Sequence, residues 1–472
     1  MAKDINTIAR SLPAVDAVLQ VPEIAGLVEQ YGKQAVTNAI RAIIAKTRKD
    51  ILKAGSAETT ICDASALARL TGQRLADSTR MNLRRVVNAT GIILHTGLGR
   101  AMMPDAARQV LSQVTGYCNL QQDLETGQRD RREECLRTIV KELTGAEDVL
   151  VVNNNAGATF LVLAALARGR EVVISRGELI EIGGSFRLPD IMTESGAILR
   201  EVGTTNKTHL KDYEKAVGPR TAMLMKAHKS NYKIVGFTKE VSIEEIVKVG
   251  RKHKIPVVDD LGCGALVGLE QFGMEHEYTV RESLDAGADV ALFSTDKLIG
   301  GPQGGMIVGR ADLLEKIRSH PLYRILRVCK LTLGALEATL RLFLTPDLLA
   351  KKHPVYRMIA KTLPKMESQA AELMSAITVL CPEWKLDVSR EVSFLGGGSL
   401  PETEMPSFAL RIKAPRTTAG KLALAFRMAR TPVIPRVADG RVILDMRTVF
   451  SEDAPDILLA IRNIDALIRV SV

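Results

Sequence analysis

The stretch "VALFSTDKLIGGPQGG", Val290 to Gly305, runs from an apolar segment through a lysine into a loop with four glycines. A short apolar run bounded by turn residues reads as a buried strand. Lysine is a costly choice at a constricted place, and glycine-rich backbone marks a point of close approach. Lys297 is therefore either an ordinary surface or phosphate-pairing lysine on a turn, or an amine presented to chemistry.

The same pattern recurs from about Val149. "VLVV" (149–152), "EVVIS" (171–175), "AILREV" (197–202), "AMLMKAH" (222–228) and "IPVVDD" (255–260) precede it, and amphipathic segments such as "IEEIVKVGRKH" separate several of them. Short strands alternating with helices predict an α/β fold with a mainly parallel sheet covered on both faces. Ligands of such sheets bind beyond the C-terminal strand ends, so the residues after each run are the candidates.

Three strand ends carry chemistry. Asn155, Ala156 and Gly157 follow "VLVV" and open an apolar helix. They form either an anion site at a helix N-terminus or a tight connection with an asparagine cap. Asp259 and Asp260 end the "IPVVDD" run, where a carboxylate could meet a metal, a ribose hydroxyl or a protonated ring nitrogen. The absence of a His/Cys/Glu cluster nearby lowers the metal option, and Asp259 reads as a helix N-cap. Lys297 follows "VALFS", where desolvation would suit it to a Schiff base. In that order the three suit pyridoxal phosphate, which needs its phosphate neutralised, its pyridine nitrogen held protonated and its aldehyde captured by lysine.

A chain of 472 residues predicts two or three domains, and 46% hydrophobic with 25% charged residues describes a globular protein. No apolar run reaches the ~18 residues of a membrane span. The N-terminal residues lack a signal core, so a cytoplasmic protein is expected. Six scattered cysteines without a CxxC read as reduced, mostly buried thiols. Net charge is +10, and residues 1–85 hold thirteen basic against eight acidic residues. Ile24, Leu27, Val28, Val36, Ile40, Ile43 and Ile44 fall at helical spacing there, which predicts a helical domain. Its charge suits either a nucleic-acid-facing surface or a solvated helix face. Beyond the helical "LTLGALEATLRLFL" (331–344), the strand-like "FALRIK", "PVIPRV" and "RVILDMR" predict a small C-terminal α/β domain. The expected domains are 1–85, 86–345 and 346–472.

Long blocks of the chain resemble the bacterial selenocysteine synthase family, the L-seryl-tRNA(Sec) selenium transferases. They include "NATGIILHTGLGRA" (88–101), "TGAEDVLVVNNNAGA" (144–158), "EVVISRGELIEIGGSFRLPDIM" (171–192) and "EVGTTNKTH" (201–209). The resemblance continues through "KSNYKIVGFT" (229–238), "PVVDDLGCGAL" (256–266), "FSTDKLIGGPQGG" (293–305), "HPLYRILRVCKLTLGALEATLRL" (320–342) and "GGGSLP" (396–401). "SLPAVDAVL" (11–19) resembles the family's opening.

The resemblance implies a fold-type I pyridoxal phosphate transferase with Lys297 as the Schiff-base lysine and Asp260 on the pyridine nitrogen. Asn155, Ala156 and Gly157 would bind the phosphate, with Ser294 a further contact. The implied reaction converts seryl-tRNA(Sec) to selenocysteinyl-tRNA(Sec) with selenophosphate, by β-elimination through an aminoacrylyl intermediate and then selenium addition. Lys297 would be the base. Asp296 would either hold that amine or cap the turn, and His228 would either face the cofactor ring or be structural. Arg100, Arg324 and Arg327 match basic residues that suit an anionic donor. The family assembles as rings of dimers, which implies a homo-oligomer such as a decamer, and its N-terminal domain grips tRNA. No metal and no membrane enter this reading. The glycines after Lys297 are then small because cofactor and tRNA end come close. Asp259 and Cys263 depart from the family pattern, which often has a non-acidic residue and a serine there. The alternative is a pyridoxal phosphate lyase acting on a small amino acid or amino sugar.

Overall fold

A computed structural model describes residues 9–54, 63–183, 186–229, 231–397 and 403–470. Cys62, Gly184, Ser185, Ser230 and residues 398–401 of the "GGGSLP" block lie outside them. The chain divides into two compact units, Met1–Arg85 and Val86–Val472.

The first unit contains helices α1 (Val15–Leu19), α2 (Pro22–Tyr31), α3 (Lys33–Ala54) and α4 (Ala64–Thr79). Pro22 starts α2, Gly32 at φ 81° ends it, and Asp63 caps α4 by accepting from Ala66 N–H at 2.7 Å. Ile24, Val36, Ile40, Ile43 and Ile44 meet Leu67 in one core, as the helical spacing predicts. The opposite face of α3 exposes Lys33, Arg41, Lys46, Arg48, Lys49 and Lys53 against the single acid Asp50.

The second unit opens with β1 (Val87–Ala89) and continues through β2 (Asp148–Val152) and β3 (Glu171–Ser175). A two-stranded hairpin follows, β4 (Glu181–Ile182) with β5 (Phe186–Arg187), and then β6 (Ile198–Val202). Next come β7 (Thr221–Ala227), β8 (Val257–Gly262), β9 (Val290–Ser294) and β10 (Gly305–Gly309). Seven strands form one sheet in the order β2-β10-β9-β8-β7-β3-β6. Adjacent strands from β9 to β6 pair parallel, while β10 runs antiparallel to both neighbours.

Successive residues of these strands enter different cores. Val151, Phe293 and Val308 pack on one face, and Leu150, Leu292 and Ile307 on the other. Both faces of the inner strands are dry, so these read as continuous apolar runs rather than alternating ones, whereas the edge strand β6 exposes Ile198, Arg200 and Glu201.

A second sheet contains β11 (Lys385–Phe394), β12 (Glu404–Lys413), β13 (Val433–Ala438) and β14 (Arg441–Asp445), in the order β1-β13-β14-β12-β11. Its edge strand is β1, in parallel register Val87↔Val433, so the small sheet takes a strand from the start of the unit. A boundary at 345/346 leaves that strand out. Trp384, Phe408, Phe426 and Ile457 fill the core beneath.

The glycine loop after Lys297 is tight for a reason other than the one expected. Gly300 sits at φ 69°, where a Cβ would strike the buried His353 ring, and a Cβ at Gly305 would strike the Asn154 carbonyl. Protein atoms crowd these glycines, and Gly305 begins the antiparallel strand that seats against β2. Gly305→Ala should lower stability by about 1–3 kcal/mol through overpacking. Chemical denaturation checks this, with a lower midpoint expected.

Candidate active site

Strand β2 ends at Val152, and the turn Asn153–Asn154 leads into helix α5 (Asn155–Leu166). Asn154 caps the helix by accepting from Gly157 N–H at 2.7 Å. The first-turn N–H groups of a helix lack intrahelical partners, and Asn155 and Ala156 line a cavity of about 440 Å³. Gly157, the third residue expected here, is not on the cavity wall; its N–H is the one that Asn154 caps.

Asp260 lies at the end of β8 and also lines this cavity. Its Oδ1 accepts from Asn155 Nδ2 at 2.7 Å and Gly262 N–H at 3.1 Å. Thr159 Oγ1 donates to Oδ2 at 2.8 Å. Burial raises the carboxyl pKa above its ordinary value, while these hydrogen bonds and the Lys297 charge oppose the rise. Thr159 was not foreseen, although it stands one helical turn after Asn155 and so shares its face.

Lys297 sits in the turn beyond β9 and is 6% exposed. Gly300 N–H donates to its carbonyl at 3.0 Å, and Gly301 N–H to Thr295 O at 2.8 Å, which fixes the turn. Burial pulls the amine pKa down; the Arg100 charge adds to this, and Cys263, Asp296 and Asp260 oppose it. Asp296 does not cap the turn with its side chain. Its Oδ2 accepts from Arg100 Nη1 at 2.7 Å, and its buried Oδ1 has no hydrogen-bond partner among the described residues. Arg100 occupies the left-handed region at φ 61° and is held there by a 3.0 Å bond from its N–H to His95 O.

His228 follows β7, and its backbone N–H donates to Asp260 O at 2.8 Å. Its ring borders the cavity, with Nε2 3.7 Å from Glu277 Oε1. Burial lowers its pKa against the Glu277 charge. Ser294 lines the cavity at the end of β9, as do Thr96 and Gln303, which sequence reasoning missed. Arg324 is exposed on the short helix Pro321–Ile325, and Arg327 is half-buried in a bridge to Val152. Arg100 is on the cavity wall and these two arginines are not.

Two neighbours differ from expectation. Asp259 is no helix cap, because it belongs to β8 and accepts from Ser283 Oγ at 2.6 Å. Buried Cys263 donates to Glu277 Oε1 at 2.7 Å. Of the five cysteines described, Cys263 and Cys381 are buried while Cys118, Cys135 and Cys329 are exposed, so most are not core residues.

The donor set fits pyridoxal phosphate. A helix N-terminus would receive an anion, the hydrogen-bonded acid Asp260 a protonated ring nitrogen, and the desolvated amine of Lys297 an aldehyde. Buried Asn155 Oδ1 and His228 Nδ1 have no partner among the described residues. No group of three or more His, Cys, Asp or Glu suited to a metal stands among those residues.

A mainly parallel sheet with lysine, acid and helix N-terminus at one edge, beside a small α/β layer, defines the fold-type I class of pyridoxal phosphate enzymes. The solved structure of D-glucosaminate-6-phosphate ammonia-lyase shares this fold at a TM-score of 0.56 and 18% identity, covering 84% of this chain and 98% of its own. Residues 86–450 match the family L-seryl-tRNA selenium transferase, and residues 9–48 match the selenocysteine synthase N terminal family. L-seryl-tRNA(Sec) selenium transferase of Moorella thermoacetica is 45% identical over 462 residues, 97% of each chain. That of Alkaliphilus metalliredigens is 41% identical over 460 residues, 97% of this chain and 98% of its own. The chain belongs to the L-seryl-tRNA selenium transferase family.

Burial raises the Asp259 pKa from 3.8 to about 7. The folded state therefore holds that proton more tightly than the unfolded chain. Its contribution to stability is full below the unfolded value and is lost as pH rises through about 7. Asp259→Asn should flatten the pH dependence of stability across that window. Melting temperatures measured from acid to neutral pH check this; an unchanged slope would show that Asp259 does not titrate there.

Proposed function

We propose that this enzyme converts L-seryl-tRNA(Sec) to L-selenocysteinyl-tRNA(Sec), with pyridoxal phosphate as cofactor and selenophosphate as selenium donor. The observation that carries the reading is the meeting of Lys297, Asp260 and the helix start at Asn155 and Ala156 on one cavity, in a chain of this family. The bound cofactor supplies an electron sink that loosens the α-proton and β-hydroxyl of the seryl group.

The chain's own groups account for the rest. Asn155 and Ala156 receive the phosphate at the start of α5, with Ser294 beside them. Asp260, braced by Asn155 and Thr159, holds the proton on the ring nitrogen. Lys297 would hold the cofactor's aldehyde and, once free, would take the seryl α-proton at Nζ, for which its lowered pKa suits it. Asp296 orients Arg100 through their ion pair, and Arg100 presents its remaining N–H groups to the anionic donor. Arg324 and Arg327 stand away from this cavity and would join the same anion only if a movement or a second copy brought them near. The ring of His228 forms the facing wall. A serine esterified to tRNA has no free carboxylate, so no carboxylate-binding arginine is required.

The tRNA reading draws on α3, whose six exposed cations face one acid. Phosphate contacts of this kind supply affinity, and RNA shape supplies selectivity. The match at residues 9–48 falls in the same unit, which favours a tRNA-borne substrate over the free amino acid of the lyase alternative. Exposed Tyr117, Leu124 and Ile325 suit burial in a homo-oligomer, for which we propose the ring of dimers. No helix among the described residues is long and apolar enough to cross a membrane.

Lys297→Ala should lose the visible absorbance of lysine-bound cofactor and at least ~10²-fold of the turnover of seryl-tRNA(Sec) with selenophosphate. Retained absorbance would refute its assignment. Removing residues 1–85 should weaken tRNA(Sec) binding roughly tenfold or more while leaving cofactor content intact. A gel shift with equal affinity for the shortened protein would remove tRNA binding from that unit.

A further inference from the structure

A second cavity of about 610 Å³ adjoins the Lys297 cavity, and Ala227 and His228 line both. Its walls come from the end of β7, the residues leading to Glu244, and Glu275 and Tyr278 beyond β8. They include Lys229, Tyr232, Lys233, Ile234 and Thr238 of the "KSNYKIVGFT" stretch, to which the chemistry above gives no part.

The lining carries a specific chemical bias. Three lysines enter it, but Lys226 is paired with Glu178 at 3.2 Å and Lys229 with Glu240. Lys233 is exposed and has no ionic partner among the described residues. Glu240, Glu244 and Glu275 also line the cavity, so a polyanion would meet as much repulsion as attraction. Tyr232 and Tyr278 add aromatic surface beside Ile234 and Leu261. Aromatic faces receive a base, carboxylates accept from ribose hydroxyls, and a single free cation suits a single phosphate.

We propose that this cavity seats the 3′-terminal nucleoside of the aminoacyl-tRNA, its base against Tyr232 and Tyr278 and its phosphate at Lys233; the assignment rests on the seryl-tRNA reading above. An amino acid esterified to ribose is separated from the sugar by only a carbonyl and an ester oxygen. The cavity that shares the Ala227–His228 wall with the Lys297 cavity is therefore the one proposed for the sugar and its base. Free serine fills only the first cavity, so the second distinguishes the ester from the free amino acid.

Calorimetric titration of the full-length holoenzyme with adenosine 5′-monophosphate and with adenosine tests this. Both should bind, and Tyr232→Ala should weaken both about tenfold, the loss of one stacked base. Lys233→Ala, at an exposed position that does not threaten folding, should weaken the monophosphate alone. Equal monophosphate affinity in wild type and Lys233→Ala, or no binding by wild type at millimolar concentration, would overturn the assignment. Protein that binds in the expected pattern yet leaves seryl-tRNA(Sec) unconverted would sink the proposed reaction while supporting the nucleoside site.

Discussion

The half-buried Asp260 carboxylate is the constraint on which the site depends. Desolvation works against its charge, so it persists only because Asn155, Thr159 and the Gly262 N–H converge on it. Those bonds join the end of β8 to the first turns of α5, two elements far apart in the chain. The acid and the anion-binding turn are thereby set at a fixed spacing before any ligand arrives. The backbone bond from His228 to Asp260 adds the end of β7 to the same frame. One residue, through its carboxylate and its backbone carbonyl, thus ties these strand ends together.

Lys297 depends on a different balance. Its amine is dry and flanked by Arg100, both of which favour the neutral form, while Asp296 and Asp260 limit the effect. The Arg100–Asp296 pair therefore does two things. It brings a cation to the cavity wall, and it leaves Asp296 with less free charge to stabilise the lysine's proton. The strained backbone of Arg100 marks how closely this placement is specified.

Much of this was legible in the sequence, for physical reasons. Continuous apolar runs announce strands dry on both faces; five of the six runs read as strands are of that kind, and the sixth, "AILREV", forms the exposed edge strand β6 of the same sheet. Lys297, Asp260 and Asn155 were readable because each follows such a run. Strand β10 was hidden, because "GGMIVG" reads as a continuation of the glycine loop. Side-chain partnerships were beyond reach: nothing local in "STDKL" says that Asp296 holds Arg100, a residue nearly two hundred positions earlier. Asp259 was misread because only the strand's actual extent to Gly262 shows that it lies within the sheet. Cys118, Cys135 and Cys329 were misjudged because a thiol's composition does not reveal its exposure.

The pairing of β1 with β13 has a consequence for how the molecule is made. Val87–Ala89 leaves the ribosome more than three hundred residues before its partner Val433–Pro435. At about 5–20 residues per second, that edge strand waits on the order of tens of seconds without its neighbour. The large sheet can close in the meantime, since its strands all lie between the two. The small sheet completes only once β13 has been made, so the order of synthesis, rather than local propensity, sets when its edge strand is joined.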